Sequence, residues 1–202
     1  MMAANVLNKL LGFVAVVFVT RNTTAEAYGA YSYAMNFVGA AVPFMGLGAY
    51  QAFLRYASDA SGQCAKKSLF AYAFSRGVLA SLGLIAMLQL LASTLCGAIV
   101  ESVAPFRIVS FVVLTTLVME YVKSYARAMH LNHISARIDV TYAVSLVSAT
   151  VGLTLGLGIH GYAIAVALAP LLASLGFGFR FGLFGWRWEA LDSAYTGFWS
   201  YG

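Results

Sequence analysis

Thr116, Glu120, Lys123 and Arg127 recur every three or four residues, so a helix would carry an acid, two bases and a hydroxyl on one face. The sequence around Glu120 is strongly apolar. Lys9 and Arg76 lie in two further apolar runs, and Asn36 lies deep in another. In an apolar medium such groups have three kinds of work open to them. They can pair locally, as Glu120 can with Lys123 or Ser124. They can snorkel from a helix end toward water, which suits Arg127 and Arg180. Or they can line a water-filled path, and a path with more cations than anions favours an anionic cargo.

Other chemistry is thin. His130 and His133 sit three apart in a connecting segment and His160 lies elsewhere, too few donors for a metal centre. The chain shows no phosphate-binding glycine loop, no paired carboxylate site and no G-x-S-x-G motif. The two cysteines, Cys64 and Cys96, fall in segments expected on opposite sides of a membrane, so neither a disulfide nor a metal cluster can be built from them. The expectation is a non-enzyme with no metal and no cofactor.

The elements that must position these residues are membrane helices. Apolar residues make up 61% of the 202 and charged residues 9%, too little charge to cover a soluble domain. Mean hydropathy is +0.83. Six runs are near the roughly 20 residues that a helix needs to cross the hydrocarbon: 5–20, 31–54, 69–92, 106–129, 140–159 and 162–184. They do not alternate, which excludes barrel strands. The expected fold class is an all-α integral membrane protein, a single bundle of six transmembrane helices over 1–202. The stretch Lys9 to Val19 followed by Ala25-Glu26-Ala27 has a competing reading as a signal peptide, although Asn5, Asn8 and Lys9 share a helical face that a signal does not need. Asn22-Thr23-Thr24 is formally a glycosylation sequon close to the membrane.

Basic residues give an orientation. Arg55, Lys66, Lys67, Lys123, Arg127, Arg137, Arg180 and Arg187 gather on one side, and Arg21 and Arg107 on the other. The positive-inside rule then puts both termini in the cytoplasm. The net charge of +5 follows from this bias and from contact with anionic membrane lipids, so no nucleic acid is implied. Small residues line faces of the fifth and sixth spans, with Gly152/Gly156 and Gly178/Gly182 at close-packing spacing. The second span gathers Ser32, Asn36, Gly39, Pro43, Gly46 and Tyr50, as expected of a helix that lines a cavity and bends.

Four segments carry a resemblance. Arg21-Asn22-Thr23-Thr24-Ala25-Glu26-Ala27-Tyr28-Gly29-Ala30-Tyr31 resembles the turn after the first helix of polysaccharide (O-antigen type) flippases, in the multidrug/oligosaccharidyl-lipid/polysaccharide exporter superfamily. Gly46-Leu47-Gly48 with Gln51-Ala52-Phe53-Leu54-Arg55-Tyr56 is similar to the end of that family's second helix. Tyr125-Ala126-Arg127-Ala128-Met129-His130 and Gly161-Tyr162-Ala163-Ile164-Ala165 are similar to two later turns, in the family's order and spacing. The resemblance implies one lobe of a two-lobed transporter of the bacterial inner membrane. It implies alternating access for an undecaprenyl-pyrophosphate-linked oligosaccharide used in polysaccharide or lipopolysaccharide synthesis. On that basis 185–202 would begin a second lobe, which another segment or a second copy would supply. Arg21 and Arg55 become candidates to hold pyrophosphate or an acidic sugar, with Lys9, Asn36, Glu120 and Lys123 along the path. A drug or cation antiporter half would need acidic residues inside the lobe, and only Glu120 qualifies, which ranks that reading lower. A membrane-embedded enzyme or assembly scaffold would need a catalytic cluster or a large loop. Which glycan and which coupling ion are not legible.

Overall fold

The computed structural model describes residues 2–59, 62–96 and 103–184, and among them there is helix and no strand. The segment 185–202 and the Cys96 side chain lie outside what is described. Seven α-helices follow in order: α1 (Met2–Asn22), α2 (Ala25–Ala41), α3 (Ala49–Asp59), α4 (Gln63–Cys96), α5 (Val103–Val109), α6 (Val112–Ala128) and α7 (Asn132–Phe181). A 3₁₀ segment, Val42–Gly48, joins α2 to α3.

Local chemistry sets the joints. At the α1–α2 turn the Asn22 amide donates to the Phe18 carbonyl at 2.8 Å and the Thr23 hydroxyl to the Val19 carbonyl at 2.8 Å. The Thr24 hydroxyl accepts from the Ala27 N–H at 3.2 Å as the N-cap of α2. The sequon triplet therefore closes one helix and opens the next, satisfying backbone groups that each helix end leaves over. Pro43 offers no N–H and α2 gives way to the 3₁₀ segment just before it. The limbs on either side are bent by 41°. The expected second span falls on α2, the 3₁₀ segment and α3 together, and its helix begins at Ala25, six residues before Tyr31.

The fourth span is also interrupted, between α5 and α6 at Ser110 and Phe111. The last two spans are written as one helix of 50 residues. A straight helix of that length would extend about 75 Å, over twice the hydrocarbon thickness. It is not straight. Gly158 takes φ 58°, ψ −135°, and a side chain on Gly161 would collide with the Leu153 carbonyl, so the chain doubles back within a few residues. Only glycine takes that φ/ψ readily. The two limbs, 132–157 and 159–181, count as two spans. The second ends at Gly182 (φ 62°), with Leu183 N–H on the Gly178 carbonyl. Among the described residues α4, the α5–α6 unit and α7 are each long and apolar enough to cross a membrane, and so is the bent α2–α3 unit taken as one span.

The core is aromatic. Phe53, Phe70 and Tyr121 are fully buried, and Tyr121 donates to the Ala73 carbonyl of α4 at 2.8 Å. The Tyr121 ring lies against Gly77, where a Cβ would come 2.8 Å from its hydroxyl oxygen. Outside, Phe13, Phe44, Leu90, Leu155 and Phe179 are each at least two-thirds exposed. Water would not tolerate so continuous an apolar surface, whereas lipid does.

The close approach of α4 and α6 makes a coupled prediction. Tyr121→Phe should cost about 1 kcal/mol, one hydrogen bond. Gly77→Ala should cost roughly 1–3 kcal/mol by overpacking against that hydroxyl. The double variant should cost less than the sum, because Phe removes the nearest clashing atom. Equilibrium unfolding in detergent checks this, and strict additivity would show that the two residues do not press on each other.

Candidate functional site

A cavity of about 320 Å³ opens between α2 and both limbs of α7. α2 contributes Tyr28, Tyr31, Ser32, Met35 and Asn36, which recur at helical spacing on one face. The first limb of α7 adds Tyr142 and Leu146, and the second adds Tyr162 and Val166. The Tyr31 and Tyr162 rings pack with centroids 4.8 Å apart. The lining carries ring faces, hydroxyls and one amide, and no charge. Such a surface suits a neutral polar ligand with apolar C–H faces.

Next to it is a charged joint. Lys123 of α6 places Nζ 2.9 Å from Glu120 Oε1 and 2.8 Å from Asp139 Oδ1 of α7. The side chains are 10% exposed for Lys123, 22% for Glu120 and 19% for Asp139, so the three are largely withdrawn from solvent. Tyr142 follows Asp139 by one helical turn and so lies on the same face of α7. Lys123 is therefore held by protein carboxylates and is not a free cation along a path. The joint carries two acids and one base, so the excess of cations expected on this face is reversed there.

The other candidates lie apart from the cavity. Lys9, Arg21 and Arg55 are exposed on α1 and α3. Arg21 is in the last turn of α1, where a cation meets the negative end of the helix dipole. Of the candidates read from the sequence, Asn36 lines the cavity. Arg76 stacks on the Tyr72 ring at 3.8 Å, and its buried Nη1 has no hydrogen-bond partner among the described residues. No group of three potential metal ligands occurs among the described residues.

The sequence reading missed Asp139, Tyr142 and the tyrosine cluster. Starting the fifth span at Val140 left Asp139 in a loop, whereas α7 begins at Asn132, eight residues earlier, and carries it inside. The signal was present in the four tyrosines at helix-compatible positions, but nothing in the sequence says that two separate helices face each other.

Lys123→Met should destabilise the bundle by about 1–3 kcal/mol, since two partly buried carboxylates lose their counter-charge. The triple variant Glu120→Gln, Lys123→Met, Asp139→Asn should recover most of that loss. Unfolding in detergent reads both, and a triple variant no more stable than the single one would show that the ammonium is not held for its charge.

Comparisons bear on what this lobe belongs to. No curated protein and no solved structure matches the chain. The model of the family described as "Polysaccharide biosynthesis protein" matches residues 1–192. Nearly the whole chain is covered, including every turn whose residues resemble the flippases, and the chain belongs to the polysaccharide biosynthesis protein family.

Proposed function

We propose that the chain is a lobe of a flippase that moves an undecaprenyl-pyrophosphate-linked oligosaccharide across the bacterial inner membrane, for O-antigen or related polysaccharide synthesis. The observation that carries this beyond family membership is the uncharged cavity of tyrosines and Asn36 inside an apolar bundle. Aromatic faces meet the C–H surfaces of a sugar ring, and hydroxyl and amide groups meet its oxygens. The lobe works with a second lobe or a second copy, because rocking transport needs a site between two bundles. Both termini face the cytoplasm, in line with the basic-residue bias.

In this reading the pyrophosphate meets exposed arginines rather than Lys123. The guanidinium fork binds phosphate oxygens bidentately. Arg21 and Arg55 lie at opposite ends of the α2–α3 unit, so they serve successive stages of alternating access. Glu120 and Asp139 favour a second reading, a cation-coupled antiporter half, because that function needs acids within the lobe.

The test uses a flippase-deficient strain carrying this lobe with a complementary lobe. Arg21→Ala or Arg55→Ala should each cut surface glycan by about tenfold at unchanged protein level, the scale of one charged hydrogen bond. Asn36→Leu should cut it without affecting insertion. Normal glycan in all three variants would remove the flippase reading, and loss of cation-driven drug efflux in Asp139→Asn with glycan unchanged would favour the antiporter. Exposed Cys64 should react with a membrane-impermeant thiol reagent from the cytoplasmic side, and labelling from outside would reverse the orientation.

A further inference from the structure

A second and larger hollow, about 510 Å³, lies where the α5–α6 break meets α4 and the second limb of α7. Its size is in the ~300–1,000 Å³ range of small-ligand sites. Phe111, Ile164, Ala167 and Leu168 give it an apolar wall, and Phe111 (49%) and Leu168 (42%) stand open to the surroundings. Two polar residues border it, Gln89 and Arg107.

Gln89 is accounted for. Its amide donates to the Arg107 carbonyl at 2.9 Å and to the Ser110 hydroxyl at 2.8 Å, and that hydroxyl donates to the same carbonyl at 2.7 Å. These bonds satisfy backbone that the break between α5 and α6 sets free. The Arg107 guanidinium is different. It is exposed, and neither ion pair among the described residues involves it. It also stands with Arg21 on the side of the bundle that is poor in basic residues, where the positive-inside bias disfavours a cation. An arginine at the mouth of an apolar groove in a membrane-facing surface matches an amphiphile with one anionic head.

We propose that this groove binds an anionic phospholipid, with one acyl chain along Phe111, Ile164, Ala167 and Leu168 and its phosphate on Arg107. The inference needs the chain to be in a bilayer and does not need it to move a glycan.

The test reconstitutes the full chain with vesicles of phosphatidylglycerol and phosphatidylcholine in equal amounts, then counts retained lipid by native mass spectrometry. Phosphatidylglycerol should be retained over phosphatidylcholine by about tenfold, the scale of one charged hydrogen bond. Arg107→Gln should bring the two to parity, and Arg107→Lys should keep part of the preference. Ala167→Trp fills the groove with Arg107 intact and should lower retention of both lipids. If Arg107→Gln does not fold, the tryptophan variant carries the test alone. Equal retention in the wild type, a preference that survives Arg107→Gln, or unchanged retention with Ala167→Trp would each overturn the proposal. So would crosslinking between copies through a cysteine placed at Leu168, which would mean that protein covers the groove.

Discussion

Lys123 caught between Glu120 and Asp139 is the constraint on which the arrangement of α6 and α7 depends. A buried ammonium without partners would cost far more than packing returns. With a carboxylate from its own helix and another from the next, it admits one relative placement of the two. That placement sets the direction of the first limb of α7 and so carries Tyr142, one turn beyond Asp139, to the cavity. A partly buried ion network is weak evidence for stability, and here it ties the Glu120 turn of α6 to the Asp139 turn of α7.

The same rule, that polar groups withdrawn from water need partners, governs the joints. Breaks in membrane helices persist where something else takes up the freed backbone groups. Gln89 does this at Ser110, and Lys66 reaches from the start of α4 to the Ala128 carbonyl at 2.9 Å, at the end of α6. Asn22, Thr23 and Thr24 do it at the first turn. Polar residues that look functional by their rarity in apolar sequence are in these places structural. Asn36 and Arg107 have no such duty among the described residues, and they join the exposed Arg21 and Arg55 as candidates for contact with a ligand.

Charge and shape are thereby separated in this lobe. The polar cavity is neutral and aromatic, the buried charges are paired with each other, and the cations Lys9, Arg21 and Arg55 are at the surface. Under the proposed flippase function, a cargo with a neutral glycan and an anionic pyrophosphate would meet these features in different places and at different moments of a rocking cycle.

Composition and apolar run length were enough for an all-α membrane protein, because the bilayer admits so few solutions. Short-range features were legible too: the Glu120–Lys123 pair at i,i+3, the bend near Pro43, and the turns that resemble the flippases. These depend on residues within a few positions of each other. Asp139 as the second partner of Lys123, the meeting of Tyr31 with Tyr162, and the apolar groove beside Arg107 were not legible. Each joins residues far apart in the chain, and periodicity reports which residues share a face but not which face it meets. The reversal at Gly158 lies between the two kinds. A glycine in a long apolar run has many uses, and the helix packing decided that this one takes the left-handed φ that folds the last two spans together.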